Sequence, residues 1–279
     1  MKRIIIGDLG EIIRSWRFWA MVGIMLASTA ITLITTPSFT YVPRPYGWIN
    51  LFVFGNITGN AMASSLAPFI PALIVGPLAA AGREREAAEA AQGDTGLKKY
   101  IAARSVSSFV AGSGVFVVSF LIILAACLII DPTNKTVIDE IPYGPFKELR
   151  YANTPLYITL FILHTALFGG IYALLSVGIG LKAKSAAMAL VLPAVIYFGS
   201  GSLYILIKNT IFSWLTNILP YVTYDFGAGD TPLWKKLLEL GSIFMLSVIL
   251  IISGYFKLKK ETSASIAKGD EEKENEKGF

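Results

Sequence analysis

The sequence predicts an all-α integral membrane protein: six transmembrane helices behind an amphipathic N-terminal helix that lies at the membrane surface. Three observations carry this expectation. First, charge is too sparse to cover a water-soluble globule. Of 279 residues, 54% are hydrophobic and 15% charged, with a mean hydropathy of +0.61, whereas a soluble domain carries roughly 25% charged residues. Second, six apolar stretches approach the roughly 20 residues that a helix needs to cross a hydrocarbon core. Third, the basic residues gather in alternate connections between those stretches.

At the N-terminus, Ile5, Leu9, Ile12 and Trp16 recur at spacings of 4, 3 and 4 and so share one helical face. Lys2, Arg3, Asp8, Glu11 and Arg14 occupy much of the remainder. Residues 1–17 therefore read as a helix lying flat at the membrane interface, with a tight start to the first span as the alternative. The first apolar run begins late and lacks a small-residue cleavage site, so no cleavable signal peptide is expected. The spans are expected at about 18–36, 61–82, 105–130, 155–181, 185–207 and 237–256, together a transmembrane domain of 18–256. Four hold no charged residue; the fourth holds only His164 and the sixth only Glu239. Runs of this length exclude barrel strands, which take about 10 residues each.

Within the second span stand Pro68, Pro71 and Pro77, beside Gly76. Interior prolines remove backbone hydrogen bonds and bend a helix. The bend serves a pathway or hinge, or only packing. His164 is the one ionisable group deep in a span. It reads as a proton-sensitive or substrate-contacting group, or as a neutral imidazole bonded to a neighbouring helix. Small residues such as Gly169, Gly170 and Gly178 permit close helix contacts. A single cysteine, Cys127, excludes a disulfide framework, and a single histidine argues against a His-based metal centre.

Six spans put both termini on one side. That side and its loops hold seventeen of the Lys and Arg residues, against seven on the other. The positive-inside rule makes the richer side cytoplasmic. An excess of basic residues so placed speaks of topology and not of nucleic acid.

The connection 83–104 is the most informative polar segment. Residues 83–92 are strong helix formers, Gly93-Asp94-Thr95-Gly96 breaks them, and Asp94 or Thr95 can cap the helix that leads into the third span. Leu97, Tyr100 and Ile101 are then available to face a partner; the plainer alternative is a hydrophilic connector. Between spans five and six, the apolar run in 209–235 suits a re-entrant or interfacial helix. Residues 257–279 mix Lys, Glu, Ser and Gly and read as a disordered tail. No phosphate-binding loop occurs, the piece at 178–185 having the wrong spacing, and no paired carboxylates lie inside the spans. The chain thus has no recognisable ATPase of its own, no catalytic residue is expected in it, and a motor would have to act on 83–104.

On these residues the sequence resembles the membrane subunit of an ABC-2 (type V) exporter. Glu84-Arg85-Glu86 matches the opening of that family's coupling loop, and 87–92 its short helix. Gly93 to Gly96 stand where the family often has a Pro-containing turn, and 97–104 resemble its basic segment. Leu219-Pro220-Tyr221 is similar to the outer re-entrant region. The resemblance implies a homodimer, or a heterodimer with a paralogous permease, joined to separate ATP-binding subunits that hold the ATP and Mg; no cofactor is expected in this chain. It implies coupling to the ATPase through Glu84, Glu86, Asp94, Leu97, Lys98, Lys99 and Tyr100. Cargo would be hydrophobic or amphipathic, a peptide first, then a lipid or drug, exported across a bacterial cell membrane. A stand-alone secondary carrier or membrane sensor is the rival reading; an intramembrane enzyme would need clustered Glu, His or Asp inside the spans.

Overall fold

A computed structural model describes residues 1–35, 47–57, 62–81, 94–133, 149–183, 185–219 and 232–277. Among them there is no strand, and five helices are long and apolar enough to cross a membrane: Trp16–Thr35, Gly96–Ile130, Thr154–Ala183, Ala186–Ile207 and Leu233–Glu261. The chain is a multi-pass membrane protein.

Helix α1 (Lys2–Arg14) ends at Ser15, whose extended backbone (φ −69°, ψ 142°) breaks it from α2 (Trp16–Thr35). The Ser15 hydroxyl donates to Ile12 O at 2.7 Å and accepts from Phe18 N at 3.4 Å, so one side chain serves both helix ends. Ile12 is buried, with Ile4 and Leu9 packed against the core. Trp16, expected on the same face, instead opens α2 and is 74% exposed.

A helix that no 20-residue criterion would find lies between the first two apolar stretches. This is α3 (Trp48–Ile57), ten residues long and too short to cross. Its start is tied to the far end of the second long helix, just beyond Ile130. Gly47 N–H donates to Asp131 Oδ2 at 2.8 Å and Trp48 N–H to Thr133 O at 3.3 Å. Gly47 has φ 78°, a left-handed turn that glycine adopts without strain. From there α3 runs back along α2, and Thr29 Oγ1 donates to Asn56 Oδ1 at 2.7 Å in a buried contact. Thr29→Val, which keeps the shape and removes the donor, is expected to cost about 1–2 kcal/mol, read as a lower unfolding temperature in detergent. An unchanged temperature would mean that the Asn56 carbonyl is satisfied otherwise.

The second apolar stretch is not one helix. It divides into α4 (Met62–Leu66) and α5 (Phe69–Ala81), and Pro68 sits in the break. Pro71 falls in the first turn of α5, where its missing N–H costs nothing, whereas Pro77 lies inside the helix.

Helix α6 (Asp94–Ile130) is continuous for 37 residues. At 1.5 Å per residue that is about 55 Å, well beyond a hydrocarbon core of about 30 Å. After the single turn α7 (Leu149–Ala152), α8 (Thr154–Ala183) packs antiparallel to α6. Their backbones touch: a Cβ on Gly112 would stand 2.5 Å from Gly169 O, and one on Gly170 would stand 2.5 Å from Ser113 Oγ. Edge-to-face aromatic pairs extend the seam and reach α3, with Phe52–Phe161 centroids 5.4 Å apart and Phe120–Phe161 5.0 Å. Helix α9 (Ala186–Ile207) is capped by the Ser185 hydroxyl, which accepts from Met188 N. It lies antiparallel to α5, with Gly76 against Ala189 and Phe69 against Phe198.

Helix α10 (Leu233–Lys277) runs parallel to α8. Gly178 and Gly254 let the two approach, a Cβ at either standing under 3.0 Å from Leu250 or Leu181. This helix continues to Lys277, through the segment expected to be disordered. Lys, Glu and Ala are good helix formers, and a polar composition that cannot build a core can still extend an existing helix. Between α9 and α10 the described residues form turns and one 3₁₀ segment, Ser213–Asn217, and not the expected longer helix. Ile211, Phe212 and Trp214 are exposed there; the rest of the expected re-entrant region, 220–231, lies outside the described residues.

Candidate functional site

Two places combine polar chemistry with the helix framework, one at each end of the bundle. At the end that carries α1, helix α6 begins with Asp94 and projects past the apolar part of its own length. Glu84 and Glu86 lie outside the described residues. Leu97, Tyr100 and Ile101 are 2–5% exposed, within the chain's own core. This corrects the expectation that they stand ready for a partner: their apolar face is already occupied. Lys98 and Lys99 point the other way and are exposed. The Lys98 ammonium sits 5.9 Å from the centroid of the Tyr255 ring on α10, a cation–π contact. Lys257 Nζ on α10 donates to Lys182 O at the end of α8, at 2.8 Å. The start of α6 is thus fixed to α10, and α10 to α8. Ser107 Oγ donates to Asp8 Oδ2 of α1 at 3.2 Å, which adds the N-terminal helix to the assembly.

Arg104, expected only as part of a basic segment, is 8% exposed. It folds back along α6 so that Nη1 donates to the Tyr100 hydroxyl at 2.6 Å. Its Nη2 is buried and has no hydrogen-bond partner among the described residues.

The second place lies at the opposite end, between α8 and α10. Ser247 Oγ stands 3.5 Å from Ile171 O across this seam. Two turns earlier, on the same faces, come His164 on α8 and Leu240 on α10. His164 is buried, and beside Leu240 lie Lys236 and Glu239, each 0% exposed. Neither carboxylate oxygen of Glu239 has a hydrogen-bond partner among the described residues. Lys236 belongs to the packed stripe Lys236, Leu240, Ile243 and Ser247 and not to the connection between α9 and α10, where it was expected. The sequence carries that signal, since the 4, 3, 4 spacing begins at Lys236. Of the three prolines, Pro68 marks the α4–α5 break, while Pro71 and Pro77 lie on α5, which packs against α6, α8 and α9. Among the described residues no three His, Cys, Asp or Glu side chains come together as metal ligands would. No family model, no curated protein and no solved structure matches the chain.

Proposed function

We propose that the chain is the membrane subunit of an ATP-driven exporter of the ABC-2 class, working as a dimer with separate ATP-binding subunits. The observation that carries this reading is the start of α6. It presents Lys98 and Lys99 outward on a helix whose inner face is locked by Leu97, Tyr100 and Ile101. A push on those lysines travels along a stiff helix of 37 residues, which meets α8 at glycine contacts too close to slip. Through Tyr255 and Asp8 it also reaches α10 and α1. In this reading α4 and α5 together make a sixth crossing broken at Pro68, both termini are cytoplasmic, and the basic end faces the ATPase. Exposed apolar side chains dominate α9 and the middle of α10, which suits contact with lipid, a second permease or an amphipathic cargo.

A second reading is favoured by the buried His164, Lys236 and Glu239, because ionisable groups inside a bundle commonly mark ion-coupled steps. In that reading the chain is a carrier that works alone. Co-purification separates the two. The tagged chain from its native membrane is expected to bring down, in stoichiometric amount, a subunit with a Gly-x-x-x-x-Gly-Lys-Ser/Thr loop and vanadate-sensitive ATPase activity. A clean preparation with neither would overturn the exporter reading and make Glu239 and His164 the first residues to substitute.

A further inference from the structure

We propose that Arg104 anchors a binding site for the phosphodiester group of a membrane phospholipid, at the junction of α1 and α6. The starting point is an unmet donor. A guanidinium carries five N–H groups and no acceptor, and it keeps its charge. Arg104 spends Nη1 on the Tyr100 hydroxyl at 2.6 Å, while Nη2 is buried and donates to no acceptor among the described residues. A buried charge with open donors is costly, and proteins seldom keep one that nothing satisfies. Tyr100 holds the guanidinium in place, its ring centroid 5.9 Å from Cζ. The Nη2 edge, whose donors meet no acceptor among the described residues, is therefore held in one orientation.

The location identifies the acceptor. Arg104 lies one turn before Ser107, and Ser107 Oγ donates to Asp8 on α1. Helix α1 is amphipathic, with Lys2 and Arg3 exposed, and the corner that joins it to α2 exposes Trp16 and Trp19. Exposed tryptophans flanked by Arg14 and Arg17 mark the level of lipid headgroups. An oxyanion available at that depth is the phosphate of a lipid, and the guanidinium fork fits phosphate oxygens.

Charge selects among anions. Asp8 is the acidic side chain bonded to the α6 face next to Arg104, and its carboxylate is held on Ser107 and makes no ion pair with Arg104. Its negative charge opposes doubly charged inorganic phosphate more than a singly charged phosphodiester. Lys2 and Arg3 further favour an anionic headgroup. This inference does not depend on the exporter reading.

The test uses the full chain, purified in a neutral detergent and stripped of lipid. It is titrated with phosphatidylglycerol, with a diacylglycerol that lacks phosphate, and with inorganic phosphate. Bound lipid is counted by native mass spectrometry and unfolding is followed by tryptophan fluorescence. Wild type is expected to retain phosphatidylglycerol and unfold at a higher temperature with it, and to gain nothing from diacylglycerol or inorganic phosphate. Arg104→Lys, which keeps the charge and loses the fork, is expected to bind about tenfold more weakly. Arg104→Met should lose the retained lipid; if it does not fold, the Lys variant carries the test. Equal retention by wild type and Arg104→Lys overturns the proposal, as does equal retention of diacylglycerol. Saturation by inorganic phosphate alone would overturn the lipid assignment in favour of a free-anion site.

Discussion

Replacing Gly169 with leucine is expected to unfold the protein or lower its unfolding temperature sharply. On Gly169 a Cβ would meet Gly112 O and the Phe116 ring at distances real Cβ atoms do not adopt. Phe116 is itself 0% exposed and edge-packed on Phe168. It cannot turn aside, so α6 and α8 must part. Inside a membrane no hydrophobic drive holds helices together; close packing does, and small residues make it possible. Overpacking alone costs about 1–3 kcal/mol, and parting two helices loses the contacts on either side as well. A total near 3 kcal/mol or more is a large share of a stability that is typically about 5–15 kcal/mol. The control lies two residues away from Gly112: a Cβ on Gly114 meets nothing within 4 Å. Gly114→Ala is expected to be neutral or slightly stabilising, by up to about 1 kcal/mol from helix propensity. Equal unfolding temperatures for Gly169→Leu and wild type in the same detergent would show that the two backbones are not in contact.

The same glycines show what the sequence made legible and what it did not. Small residues on the fourth span promised a close contact, but composition does not name the partner; Gly112 on α6 completes the pair on the structure alone. The long apolar runs at 105–130, 155–181 and 185–207 fall on α6, α8 and α9, although α6 begins already at Asp94; length and hydropathy fix a helix that must bridge hydrocarbon. That criterion fails where the elements are short. Helix α3 has ten residues, and α4 with α5 divides at Pro68, so one was missed and the other read as whole. At the basic end, the Leu97–Tyr100 face was legible as apolar, yet a sequence does not say whether such a face meets its own chain or another. Arg104 was counted as one more positive charge for topology. Its burial depends on Tyr100 lying one turn earlier and on α1 docking over α6, and only the second needs tertiary structure.

Charge reversal at the basic end is expected to uncouple the chain from its proposed ATPase while leaving the fold in place. The variant combines Glu86→Lys with Lys98→Glu and Lys99→Glu. Both lysines are exposed, and exposed substitutions usually change stability by no more than about 0.5 kcal/mol. Lys98 also gives up its contact with Tyr255, worth about 0.5–1 kcal/mol at an exposed site. Expression and unfolding temperature are therefore expected to stay close to wild type. Substituting Leu97 or Tyr100 instead would not test coupling, because both are buried and their loss would damage the fold directly. An interface matched by charge suffers twice on reversal, losing its attractions and setting like charges together, at a cost of several kcal/mol. A loss of about 3 kcal/mol weakens association more than a hundredfold. The ATP-binding subunit should then no longer co-elute, and vanadate-sensitive hydrolysis in the preparation should fall to background. If the reversed variant retains both at wild-type level, Lys98 and Lys99 take no part in docking the ATPase, and the start of α6 is not where the motor engages.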